Sequence, residues 1–110
     1  MLTVINSTIG YNGARLGGGG IYNGPSPSVT IITNSNIGDN NASSLQSGRE
    51  IYNGNVVRVG NSILYAQFPG DCQGNPITHD APNIGCGGSV VGDPLVGFLS
   101  GNPVYFPLLP

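Results

Sequence analysis

The chain has 110 residues, with three Arg, no Lys, four Asp, one Glu and one His, and a net charge of −2. Three cations cannot neutralise a run of phosphates, which excludes nucleic-acid binding. No apolar run approaches the roughly 18–20 residues of a membrane-spanning helix, and Ala, Glu, Lys and Gln are too scarce for a helical bundle.

Nineteen Gly, thirteen Asn and nine Pro would suit disorder, but ten Ile, nine Val and eight Leu need a core. One small β-rich, turn-rich domain is the expectation. The opening Met1-Leu-Thr-Val-Ile-Asn has no basic stretch and no signal-peptide core. It begins a block that recurs. Residues 2–12 read LTVINSTIGYN, residues 29–40 VTIITNSNIGDN and residues 57–67 VRVGNSILYAQ. Leu2, Val29 and Val57 align, as do Val4, Ile31 and Val59, with one residue of slippage at Ile32-Thr33. Apolar residues alternate with Thr3, Thr30 and Arg58, which is strand periodicity. Asn6-Ser7, Asn34-Ser35 and Asn61-Ser62 then interrupt, and Ile9, Ile37 and Leu64 mark a second short strand. A second block, Ile21-Tyr-Asn-Gly24, returns as Ile51-Tyr-Asn-Gly54 and reads as a third strand ending in a turn.

Strands that repeat in one order without helices between them stack in parallel only by coiling, one coil on the next. The predicted fold class is therefore all-β: a short right-handed parallel β-helix of about three coils with an irregular C-terminal cap. Residues 1–67 are assigned to the coils. Residues 68–110 hold seven of the nine Pro, poorly tolerated in central strands, and are assigned to a cap packed on the last coil. Short apolar stretches at 89–91, 95–99 and 104–109 could supply edge strands. Asn6, Asn34 and Asn61 form a candidate structural ladder of hydrogen-bonded amides; three independent turn residues are the plain alternative. Tyr22 and Tyr52 read as a stacked, partly exposed pair, structural first and a sugar-stacking platform second.

Cys72 and Cys86 close a loop that suits a disulfide, with free thiols and a metal site as alternatives. A disulfide implies an exported protein. The carboxylates Asp39, Glu50, Asp71, Asp80 and Asp93 fall into no acidic column, and Asp71 and Asp80 could meet only within the Cys loop. His79 beside Asp80 reads as a solvated loop residue. Gly17 to Gly20 precedes Ile-Tyr-Asn rather than a helix, so it reads as a corner and not a phosphate cradle. Asp39-Asn40-Asn41 could hold calcium through oxygens but reads first as a turn. The outward column Thr3, Thr30, Arg58 is too short and irregular to order ice. The expectation is a chain with no catalytic residues, no metal site and no cofactor.

The run Gly17-Gly-Gly-Gly-Ile-Tyr-Asn-Gly24 before a Val-Thr-Ile-x-x-Asn-Ser strand resembles the right-handed parallel β-helix repeat proteins of bacteria, of pectin-lyase-like architecture. Asn61-Ser-Ile-Leu, Asp71-Cys, Cys86-Gly, Asp93-Pro-Leu-Val-Gly and Pro107-Leu-Leu-Pro110 follow the order seen at the C-terminal end of such helices. The resemblance implies a secreted or cell-surface location and the end of a longer protein. It is informative about fold and poor for activity, since the architecture hosts lyases, hydrolases, adhesins and inert stalks. The expected role is a non-enzymatic structural or adhesive module that touches glycan or protein. The alternatives are a remnant of a carbohydrate-active enzyme and a protein with no settled function. An open coil at Leu2 invites pairing with a second copy, so a homo-oligomer, expected as a dimer, is the predicted partner state, and carbohydrate is the other candidate partner.

Overall fold

The computed structural model describes residues 1–43, 48–65 and 72–87. Among these, twelve short strands and no helix are found. The first row holds β1 (Leu2–Ile5), β2 (Thr8–Gly10), β3 (Gly13–Ala14) and β4 (Ile21–Asn23). The second holds β5 (Val29–Thr33), β6 (Asn36–Gly38), β7 (Asn41–Ala42) and β8 (Ile51–Asn53). The third holds β9 (Val56–Gly60), β10 (Ile63–Tyr65) and β11 (Cys72–Gly74), and β12 (Thr78–His79) begins a fourth.

Every pairing is parallel. The sheets run β1-β5-β9-β12, β10-β6-β2, β11-β8-β4 and β3-β7. The chain therefore visits the sheets in one fixed order and returns to the first. Parallel neighbours need a long crossover, and here the crossover is the rest of the row.

Inward side chains stack in columns. Val4, Ile32 and Val59 form one, Ile9, Ile37 and Leu64 another, and Ile21, Ile51 and Cys72 a third. Val57, Ile32, Ile37, Ile51, Val59 and Leu64 are wholly buried, each contributing about 1.5–3 kcal/mol.

One expected register is corrected. Leu2 pairs with Thr30, and Val4 with Ile32; Ile31 faces outward beside Thr3 and Arg58. The cause lies at the corners. Asn6, Asn34 and Asn61 all adopt left-handed backbone, φ 50°, 51° and 50°, and Asn tolerates that conformation well. Counting back from each corner without a gap puts Val4, Ile32 and Val59 at the same inward position, so the inferred slippage does not occur. Thr30 is then buried, and its hydroxyl donates to Asn23 Oδ1 at 2.9 Å.

Parallel pairing also continues past residue 67. β11 lies on β8, β12 on β9, and Ile84 bridges to Ile63. Pro76 and Pro82 sit in connections between paired segments, where no ladder hydrogen bond is lost. Residues 88–110, with the rest of the expected cap and its apolar stretches, lie outside the described residues.

Candidate functional site

The hydrogen-bonded ladder runs through the serine that follows each corner Asn. Ser7 N–H donates to Ser35 Oγ at 3.1 Å, Ser35 N–H to Ser62 Oγ at 3.1 Å, and Ser62 N–H to Asn83 Oδ1 at 2.9 Å. Each hydroxyl in turn donates to the carbonyl two residues before it, at Ile5, Thr33 and Gly60. Asn6, Asn34 and Asn61 stand above one another and are exposed; their contribution is the left-handed turn.

Amide ladders fall on other asparagines. Asn23 Nδ2 donates to Asn53 Oδ1 at 3.0 Å inside the core. Asn12 Nδ2 donates to Asn40 Oδ1 at 3.1 Å. The first of these was visible in the repeated Ile-Tyr-Asn-Gly, and the serine ladder in the repeated Asn-Ser.

Glu50 is fully buried. Asn40 clamps it, N–H to Oε1 at 3.2 Å and Nδ2 to Oε2 at 2.5 Å. Two donors on two oxygens offset the desolvation of a buried carboxyl. The clamp also explains a glycine in the row below. A Cβ on Gly20 would come within 2.8 Å of Glu50 O and 2.9 Å of Asn40 Nδ2. Two of the oxygens considered for calcium face protein donors: Asn40 Oδ1 receives Asn12, and Asn41 Oδ1 receives Arg49 Nη1 at 3.0 Å. Among the described residues, no three His, Cys, Asp or Glu cluster as metal ligands would.

On the outer face Tyr22 stacks on Tyr52, centroids 5.2 Å apart and planes 10° from parallel. Tyr22 is 59% exposed. Beside it Met1, Leu2, Asn23, Ser28 and Val29 line an open cleft of about 220 Å³. That is smaller than the roughly 300 Å³ where drug-sized pockets begin. Among the described residues, no charged side chain lines it.

The fourth row is fastened covalently. Cys72 and Cys86 are bonded, Cα atoms 5.5 Å apart and 14 positions apart in sequence; closing such a loop is worth about 3 kcal/mol in the chain-entropy model. His79 is held rather than solvated, which departs from the expectation. Its Nδ1 lies 2.8 Å from Asn83 Nδ2 and its Nε2 3.0 Å from Cys86 O. Asn83 also receives Ser62 N–H on Oδ1 and donates to Val59 O from Nδ2. That fixes its amide, so His79 Nδ1 accepts and Nε2 carries the hydrogen.

Asp80 pairs with Arg58, Nε to Oδ2 at 2.9 Å and Nη2 to Oδ1 at 2.8 Å. The hydrogen bonds from Arg58, with its charge adding to them, hold the Asp80 carboxyl below its ordinary range, and the same partner raises Arg58. A depressed carboxyl contributes stability above its unfolded pKa and loses it as pH falls through the folded value. Asp80→Asn is therefore expected to lower stability slightly at neutral pH, with the difference vanishing as pH falls through the folded value of Asp80, which flattens the acid limb of the stability curve. High salt should shrink the difference, because both groups are exposed. Thermal melts of both proteins from acid to neutral pH check this. Asp71 and Asp93 lie outside the described residues.

Comparison with known proteins finds no matching family model, no similar curated protein and no similar solved structure.

Proposed function

We propose that this chain is a non-enzymatic structural or adhesive module, built as a short right-handed parallel β-helix, of a secreted or cell-surface protein. It associates with itself through its first row and presents neutral polar and aromatic surface to glycan or protein. The observation that carries the reading is the fixed visiting order of four parallel sheets with in-register columns, ending in a first row whose outer edge is unpaired among the described residues. Such rows contact only their neighbours and leave sticky ends. The bonded cysteines fit an oxidising compartment. Glu50 is held by Asn40 in the core and Asp80 by Arg58 on the surface.

Light scattering behind a sizing column tests the association. A mass above the 11.2 kDa of one chain, falling on dilution, is expected. A single-chain mass at every concentration overturns the reading.

A further inference from the structure

We infer that the Cys72–Cys86 disulfide is a redox latch on the fourth row: a dithiol that reduces it frees residues 78–87 and leaves the three rows below in place. The inference holds whether or not the chain associates with itself.

The sulfurs roof the core. Ile84 bridges to Ile63, so Gly85 takes the register of Leu64, the last side chain of the column Ile9, Ile37, Leu64. Gly85 has no side chain to continue that column. The column of Ile21 and Ile51 ends in Cys72. Cys72 and Cys86 both pack against the buried cluster, and their bond joins the segments that end the two columns.

The backbone there is held against its own preference. β2, β6 and β10 each run for three residues. The fourth row instead breaks after Ile84 into three consecutive left-handed residues, Gly85 at φ 88°, Cys86 at 52° and Gly87 at 78°. A Cβ on Gly85 would collide with Leu64 O, so the glycine lets the chain press against the third row. Cys86 carries a side chain in a conformation that L residues avoid, without the short amide that eases it for Asn6, Asn34 and Asn61. Strain of this kind persists where the surroundings fix it, and here the bond to Cys72 does so.

The other fastenings of the row lean on the same point. His79 pairs with Val59 and so ends the column of Val4, Ile32 and Val59. Its Nε2 donates to the Cys86 carbonyl and its Nδ1 accepts from Asn83. Release of Cys86 therefore loosens the imidazole and, through it, Asn83. Rows of this kind touch their neighbours and nothing further, so opening the fourth row uncovers the third and leaves the bonds between the second and third intact.

The step is thiol–disulfide exchange. One thiolate of the dithiol attacks a sulfur of the pair, and the Cys72–Cys86 bond breaks. The second thiol of the reductant resolves the mixed disulfide. Two cysteine thiols and the reductant's cyclic disulfide are formed, with two electrons and two protons passing to the protein.

Amide hydrogen exchange followed by NMR, before and after addition of dithiothreitol, tests the latch. Alkylation establishes that both cysteines are reduced. Asp80 and Ile84 donate from the fourth row to Val59 O and Ser62 O, and Leu64 and Ser62 donate to it, at Ile84 O and Asn83 Oδ1. These four amides are expected to exchange roughly 100-fold faster on reduction, the factor that corresponds to closing a loop of this size. Ile63, lying between Ser62 and Leu64, donates the other way, to Ser35 O, and Asn34 donates to Gly60 O. Both keep their protection. The ring signals of His79, the one histidine of the chain, move to those of a solvated imidazole, and reoxidation reverses every change. Unchanged exchange at Asp80 and Ile84 in the reduced protein overturns the inference, because the row then stays closed without its bond. Equal acceleration at Ile63 and Asn34 also overturns it, because the bond is then a staple for the whole fold. Cys72→Ser combined with Cys86→Ser is expected to show the open pattern without reductant.

Discussion

Ile32→Ala is expected to cost about 2–5 kcal/mol, the range for emptying an aliphatic site in a packed core, whereas Ile31→Ala next to it should cost within about 0.5 kcal/mol. The two residues differ only in which way the corner at Asn34 turns them. Ile32 is wholly buried between Val4 and Val59. Ile31 lies outward between Thr3 and Arg58. Removing three carbons from Ile32 leaves a void that the rows above and below cannot fill, because their strands are fixed by parallel pairing on both sides. Urea unfolding of the two variants reads the difference as a shift in midpoint. The reverse order of costs would mean that the second row is shifted by one residue, and every inward column would have to be redrawn.

Asn53→Ala is expected to destabilise by about 3 kcal/mol, on the rule that each buried polar group left without a partner costs about 1–3 kcal/mol. Asn53 is fully buried. Its Oδ1 receives Asn23 Nδ2 at 3.0 Å and Asn55 N–H at 3.1 Å. Its Nδ2 reaches Asn75 O at 3.1 Å and Pro76 O at 3.3 Å. The side chain therefore ties three rows together. Asn23 keeps its bond to Val56 O, and Asn75 and Asn55 lie near enough to solvent to recover water, which is why the cost falls short of four full penalties. Asn53→Asp should be no milder than alanine, since it turns a charged oxygen toward two carbonyls. Equilibrium unfolding of both variants decides the matter. A loss under about 1 kcal/mol in each would mean that water replaces the amide freely.

The all-β character, the absence of helix in the described residues and the parallel strands were legible because two blocks recur in the same order. Ile21-Tyr-Asn-Gly24 and Ile51-Tyr-Asn-Gly54 also located the tyrosine stack. What escaped was decided by single residues. In Val-Thr-Ile-Ile-Thr two alternating patterns are possible, and only the backbone of Asn34 selects between them. The Asn-Ser pairs drew attention to the amide, although the left-handed turn points that side chain outward and gives the ladder to the hydroxyl. The clamp on Glu50 was hidden because its partner, Asn40, sits in an Asp-Asn-Asn turn that reads equally well as oxygen ligands. His79 reads as solvated until Asn83 and Cys86 are folded against it. The prolines of the second half suggested an end to pairing after residue 67, yet Pro76 and Pro82 punctuate a further row.

The connections between rows differ in length without disturbing the strands they lead into. Between β4 and β5 the chain uses residues 24–28, and between β8 and β9 only residues 54–55; β5 and β9 nevertheless meet in register. Spacing is thus reset at every corner rather than accumulated along the chain. A fold of this kind can take insertions at one turn without propagating an error to the next, which makes its turns modular: natural variation or a grafted epitope placed between Gly24 and Ser28 is absorbed locally, while the same length change inside Val29–Thr33 turns a whole strand inside out.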